Sequence, residues 1–109
     1  MNKFVMERNV IDHYRFTFRN DMDQKLLHGH SFHNKANCLQ AISQARASAA
    51  NPDCYLRRGT EQKRYYFILL SEKGISVGVS NLYKGTSEME RAITEVMQTA
   101  EAAQVVPTH

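Results

Sequence analysis

The sequence feature that most constrains the fold is an internal repeat, in which the stretch from Tyr14 to Ala49 recurs without gaps as Tyr65 to Ala100 at an offset of 51 residues. The best-matching positions pair Tyr14 with Tyr65, Phe16 with Phe67, Ala41 with Ala92, Ile42 with Ile93 and Ala49 with Ala100. Self-similarity of this kind indicates a tandem duplication. The chain has 109 residues, and two half-units of that length would each be marginal alone. We therefore predict a single domain, residues 1–109, built of two repeats at about 3–52 and 54–107 that share one core.

In the first repeat, a short apolar strand at 3–7 is followed by a segment that alternates between apolar and basic or hydroxyl side chains. The alternation puts Tyr14, Phe16 and Phe18 on one side and Arg15, Thr17 and Arg19 on the other, which is typical of a half-buried strand. Turn-forming residues at 20–23 and a returning strand at 25–30 complete a meander. From Asn34, a suitable N-cap, the apolar spacing changes to that of a helix whose inner face is Cys38, Ala41, Ile42, Ala45 and Ala49.

The second repeat follows the same order, with strands predicted at 54–58, 63–70 and 75–80. A second helix is expected to start near Thr86 or Ser87, because Ser87 and Glu90 have the spacing of a capping box. A closing strand is expected at 104–106, ended by Pro107 at a sheet edge. The fold class is therefore α+β, with two β-β-β-α units forming one mainly antiparallel sheet and two helices on one face.

The segment Phe32 to Ile42, following Tyr14-Arg15-Phe16, resembles the YegP-like family, domain of unknown function 1508. The resemblance covers nearly the whole chain, twice. It implies a continuous sheet assembled by exchange of the C-terminal strands, and it implies no catalytic residues. The family's glycine-containing hairpin turn is replaced by residues 20–23 and 71–74, its helix glycine by Ala41 and Ala92, and its serine N-cap by Asn34 and Gly85.

Composition and charge narrow the function without assigning it. The formal net charge is +3, which permits acidic partners without requiring them. No apolar run approaches the length of a membrane span, and the first nine residues are too polar for a secretory signal. We expect a cytoplasmic protein with no membrane association, in which Cys38 and Cys54 are reduced and buried rather than disulfide-bonded.

Three histidines, His28, His30 and His33, form the sharpest local cluster, and His28 and His30 would share one strand face. Two imidazoles without a third ligand make a weak metal site. We therefore assign neither metal nor cofactor, and leave open whether these histidines bind a metal. The sequence contains no phosphate loop, nucleophile elbow or paired-carboxylate pattern, so we expect no enzyme.

The outward side of the long strand differs between the two repeats. Arg15 and Arg19 in the first repeat match Tyr66 and Leu70 in the second, with Ile68 between them. An exposed apolar patch of this kind usually marks an interface, although the twist of the sheet or a terminal segment could cover it. We predict a small interaction module that binds a protein partner, or a second copy of itself, through Arg15, Arg19, Tyr66, Ile68 and Leu70. Both monomer and homodimer remain open.

Nucleic-acid binding by the same face is the alternative. Basic side chains would contact phosphates and Tyr66 would offer a surface for base stacking. The residues proposed for this alternative are Arg15, Arg19, Lys25, Arg57, Arg58 and Arg64.

Overall fold

The computed structural model of the chain describes residues 1–9, 11 and 13–108. The elements follow in the order β1 (Lys3–Arg8), β2 (Tyr14–Arg19), β3 (Lys25–His28), α1 (Lys35–Ser48), β4 (Tyr55–Gly59), β5 (Tyr65–Leu70), β6 (Ser76–Val79), α2 (Thr86–Thr99) and β7 (Gln104–Thr108). A 3₁₀ turn at Pro52–Cys54 leads into β4. Every helix and strand predicted from the sequence is present, with ends shifted by one or two residues.

The seven strands form one sheet in the order β4-β5-β6-β3-β2-β1-β7. Neighbouring strands are antiparallel except β1 and β7, which run parallel. Strands β3 and β6 are neighbours in the middle of the sheet, where His28 pairs with Val79. The predicted α+β class, with one mainly antiparallel sheet and two helices, is confirmed.

Helix α1 begins where the sequence predicts. The side chain of Asn34 accepts a hydrogen bond from the Asn37 backbone N–H at 2.8 Å, which satisfies one of the free donors of the first turn. The predicted inner face is buried at every position, with Cys38, Ala45 and Ala49 at 0% exposure.

The capping box predicted for α2 is wrong. Gly85 is the N-cap and provides no side-chain hydrogen bond, so Ser87 lies inside the first turn. Glu90 turns instead toward β4, where it forms an ion pair with Arg57. The predicted inner face of α2 is buried, comprising Met89, Ile93, Val96 and Ala100.

Both helices cover the same face of the sheet. Their buried residues join one cluster with the inward side chains of the strands, which include Phe4, Phe16, Phe18, Phe67 and Leu69. Helix α1 contacts β2, β5 and β6, and α2 contacts β5. The opposite face of the sheet, called the open face below, is covered by neither helix.

In the middle of the core, a leucine lies next to a glycine that is 51 residues away in the sequence. Leu27 on β3 is fully buried, and Gly78 lies on the neighbouring strand β6. A Cβ atom on Gly78 would lie 2.6 Å from Cγ of Leu27, well inside van der Waals contact. Leu27 therefore occupies the space that a side chain at 78 would need.

Candidate functional site

One row of residues crosses the open face through all seven strands. The pairings that define it join Leu56 to Ile68, Ile68 to Val79, Val79 to His28, His28 to Thr17, Thr17 to Val5, and Val5 to Val106. Because side chains alternate along a strand, this row faces away from the residues that pack against the helices. The row is apolar from β4 to β6 and carries His28 and Thr17 on the two strands that follow.

Over β1 and β2, an ion pair covers the row. Arg19 extends along the sheet, with Nε donating to Oγ1 of Thr17 at 2.9 Å and Nη2 donating to Oε1 of Glu7 at 2.7 Å. A carboxylate oxygen of Asp23 lies 3.3 Å from Nη1 of Arg19. Beneath this arrangement Thr17 and Val5 are only 4% and 2% exposed. The charge of Arg19, a predicted contact residue, is thus satisfied within the chain.

Over β4, β5 and β6, no ion pair between described residues gives such a cover. Tyr66, Ile68 and Leu70 are half-buried, whereas Phe67 and Leu69 between them are fully buried in the core. Leu56 and Val79 flank Ile68 on the neighbouring strands and are also half-buried. We call these residues of the open face the apolar patch, which consists of Leu56, Tyr66, Ile68, Leu70 and Val79.

Leu56 and Val79 were not among the predicted site residues. Leu56 could have been identified from its position between Tyr55 and Arg57, which face the other side of the sheet. Val79 could have been identified from its alignment with His28 at an offset of 51 residues. Strand pairing was needed to bring them beside Ile68, because neither position is near residue 68 in the sequence.

The two termini of the described chain are held away from the apolar patch. The amino group of Met1 forms an ion pair with Asp21, and the side chain of Asn2 donates to Glu95 on α2. At the other end, β7 pairs with β1. No described terminal residue thus supplies a cover for Tyr66, Ile68 and Leu70.

Four basic residues border the apolar patch or lie on the same face, and we call them the basic rim. Arg58 pairs with Tyr66 across β4 and β5, and Lys25 pairs with Arg19 across β3 and β2. Arg15 pairs with Glu7, and Arg64 directly precedes β5 in the turn that follows β4. All four are exposed, and no ion pair joins any of them to another described residue.

Arg57 lies on the other side of the sheet, although it is adjacent to Arg58 in the sequence. Its Nε is 2.5 Å from Oε2 of Glu90 and its Nη2 is 2.9 Å from Oε1. The structure thus separates Arg57 from the other basic residues proposed for nucleic-acid binding, because it connects β4 to α2. The hydrogen bond from Arg57 lowers the pKa of Glu90.

Replacing Arg57 with glutamine is expected to raise the pKa of Glu90 toward its ordinary value. The guanidinium stabilises the charged carboxylate, so its removal makes protonation easier. Any stability that this pair supplies is present above the unfolded-state pKa and is lost as the pH falls through the lower folded-state pKa. A ¹³C NMR titration of the Glu90 carboxyl group, compared between the wild-type chain and the variant, measures the change. An unchanged Glu90 titration in the variant would contradict the assignment.

The histidines are divided between separate environments. Nε2 of His28 lies 2.7 Å from Oδ1 of Asn81, and Nε2 of His30 lies 3.1 Å from Oγ of Ser76. His33 instead contacts His13, edge to face, with 4.7 Å between ring centroids. Across residues 1–9, 11 and 13–108, no group of three or more potential ligands is placed to hold a metal ion.

Both cysteines are free and buried. Burial raises the pKa of the Cys38 thiol to about 11. Burial also raises the pKa of Cys54, with smaller contributions from Glu72 and Asp53. Because the thiolate is the nucleophilic form, neither side chain has the chemistry of an activated nucleophile.

Comparisons with known proteins give a match in structure only. No family model matches the sequence, and no curated protein matches it. A UPF0339 protein from Shewanella oneidensis has a solution structure that superimposes with a TM-score of 0.91 at 15% identity, covering 97% of this chain and 90% of that one. The protein yegP from E. coli, described as a protein of unknown function, gives a TM-score of 0.90 at 17% identity, covering 98% and 92%. Within the described residues, neither helix has the length and apolar character needed to span a membrane.

The two superpositions show that the chain has the fold of these bacterial proteins.

Proposed function

We propose that this chain is a small non-enzymatic interaction module that binds a protein partner through the open face of its sheet. The observation that carries the proposal is the apolar patch around Ile68, which neither helix covers, next to a basic rim that forms no ion pair with another described residue. Apolar patches with a polar border are typical of protein interfaces. In such an interface Ile68 and Tyr66 would make the central contacts, and the rim would give charge complementarity.

The absence of catalysis is part of the proposal. The buried thiols have raised pKa values, which favours a structural role for both. The histidines contact Asn81, Ser76 and one another rather than a nucleophile or a described set of metal ligands. These features support a binding role.

Three further features belong to the proposal. We propose membership of the YegP-like family in a tandem-repeat form, with the repeats at about 3–52 and 54–107. Its support is the likeness of fold and the direct pairing of His28 with Val79, which are 51 residues apart. The pairing of β7 with β1 favours a sheet completed by its C-terminal strands. We also propose the cytoplasm as the compartment, since both cysteines are free.

Nucleic-acid binding is the second candidate, and one observation favours it. Arg58 lies directly across from Tyr66, and Asn81 donates a hydrogen bond to the backbone oxygen of Lys25 at 2.7 Å. Two cations and an aromatic ring therefore lie toward the same end of the strands, as in sheets that bind single strands by phosphate contact and base stacking. Arg57 and Arg19, whose charges are paired with carboxylates, contribute less to this candidate.

Ile68→Asp is expected to abolish capture of the partner by the purified chain, because it places an unpaired charge in the centre of the contact. Affinity capture from native lysate, with and without nuclease and followed by mass spectrometry, measures this. The matched control is Leu82→Asp, which changes an exposed apolar side chain outside the sheet, 59% exposed in the free chain. The control should retain the partner.

Thermal unfolding of both variants establishes that they are folded before capture is compared. A stoichiometric protein that survives nuclease and is lost only with Ile68→Asp supports the proposal. A protein retained equally by both variants would place the interface elsewhere. Captured proteins that disappear with nuclease would favour the nucleic-acid candidate.

A further inference from the structure

We infer that the open face takes an amphipathic helix with acidic residues along one flank, and not a second copy of this chain. The inference rests on the proposed function, because it names the kind of partner that the same face fits. It depends on how the charges of the chain are paired and on where the unpaired ones lie.

Among the described residues, Arg19 and Arg57 have carboxylate partners and the basic rim has none. Arg19 has Glu7 and Asp23, and Arg57 has Glu90. Arg58, Arg64, Lys25 and Arg15 have no carboxylate among the described residues. The cations of the basic rim are therefore available to carboxylates of a partner.

The open face is also more basic than the chain as a whole. The sequence has 14 Lys and Arg against 11 Asp and Glu. On the open face, the charged residues paired in the strand ladders are Lys3, Glu7, Arg15, Arg19, Lys25 and Arg58. Glu7 is the single acid among these described positions, and Arg19 already contacts it. An acidic partner is the complementary one.

The dimensions of the patch fit a helix. Along β5 the patch extends from Tyr66 to Leu70, which is about 14 Å at about 3.4 Å per residue, and across the strands it extends from Leu56 to Val79, about 10 Å. A helix with its side chains is about 10–12 Å in diameter. Such a helix can cover the patch while lying across the strands.

Two cations of the basic rim, Arg58 and Lys25, would lie beside one flank of that helix. Arg58 and Lys25 are on the same side of the central row, as shown by the pairing of Arg58 with Tyr66 and the bond from Asn81 to Lys25. They are three strands apart, which corresponds to about 14 Å or about nine residues of helix. The opposite side, with Leu70, Ser76 and His30, includes Arg15 as its single rim residue. Acidic residues are therefore expected along one flank of the partner.

A second copy is a poor occupant because a face-to-face dimer would bring two basic rims together. Like charges placed opposite each other at an interface weaken association. Glu7, the acid among the described ladder positions of this face, already contacts Arg19 and does not compensate.

The test is selection of a displayed random peptide library on the purified chain, with binders competed against the Ile68→Asp variant. Peptides that depend on Ile68 are expected to combine apolar residues at helical spacing with Asp or Glu on one flank. Fluorescence anisotropy should show a loss of about tenfold or more in affinity with the Arg58→Glu, Lys25→Glu double variant, which makes two rim charges repulsive. Changing the acids of the peptide to lysine should cause a similar loss.

The possible outcomes distinguish this inference from the proposed function and from two other occupants of the face. Ile68-dependent peptides without acidic residues would overturn this inference and leave the proposed function intact. A selection with no Ile68-dependent peptide would count against both. A dimer in sedimentation velocity that Ile68→Asp dissociates would overturn the inference in favour of self-association. Tighter binding of a fifteen-nucleotide oligo(dT) than of any peptide, lost in the same double variant, would overturn it in favour of nucleic acid.

Discussion

Replacing Gly78 with alanine is expected to lower the free energy of unfolding by about 1–3 kcal/mol, as overpacking in a core does. The new methyl group would lie 2.6 Å from Cγ of Leu27 and within 3.0 Å of both its Cδ atoms. Leu27 is fully buried, so it has little room to move away. Leu27→Ala alone should cost about 2–5 kcal/mol, because it removes core contacts and leaves a cavity.

The sign of the Gly78→Ala effect should change when Leu27 is already alanine. All three atoms that oppose the new Cβ are then gone, and the added methyl group fills part of the cavity. A double-mutant cycle by urea unfolding measures this coupling. Additive effects of the two substitutions, within about 0.5 kcal/mol, would contradict this account of the centre of the sheet. Gly59→Ala is a useful control, because Gly59 is exposed and its Cβ would lie at an ordinary contact distance of 3.5 Å from the Tyr65 ring.

Two adjacent residues of β5 should respond very differently to alanine. Phe67 is fully buried and packs against the ring of Tyr55, with 5.7 Å between centroids. Phe67→Ala is expected to cost about 3–5 kcal/mol. Ile68 is half-buried on the open face, and its truncation should cost about 1 kcal/mol or less because little apolar surface returns to water and no enclosed cavity forms.

Urea unfolding of the two variants under the same conditions measures the difference. Leu69→Ala serves as the control on the far side of Ile68, since its side chain is also fully buried. A loss at Ile68 comparable to those at Phe67 and Leu69 would mean that the open face is packed against something in the isolated chain. That result would remove the basis for a contact surface there.

Local patterns in the sequence were sufficient for the elements of this fold. Alternation of Phe16 and Phe18 with Arg15 and Arg19 located β2 and its two faces, because the period of a strand is visible within a few residues. Asn34 located the start of α1 for a similar reason, since its capping bond reaches only to Asn37.

Local sequence patterns could not predict the interactions between segments that are distant in the sequence. Ser87 and Glu90 have the spacing of a capping box, but Glu90 bonds to Arg57, which is 33 residues away. Arg19 was predicted to contact a partner, and its charge is satisfied by Glu7 from a neighbouring strand. Leu56 and Val79 likewise join Ile68 through strand pairing. The face of the candidate site could therefore be predicted, but not which of its charges remain unpaired.

The two edges of the sheet restrict how a partner can approach. Strand β7 forms one edge and contains Pro107, which has no N–H, and β4 forms the other and carries the exposed side chains of Arg57 and Arg58. Proline and charged residues at an edge oppose the addition of further strands. Growth of the sheet into fibrils or edge-to-edge chains is therefore disfavoured on both sides. A binding partner is left with a face-on approach, in which side chains rather than backbone groups determine what is recognised.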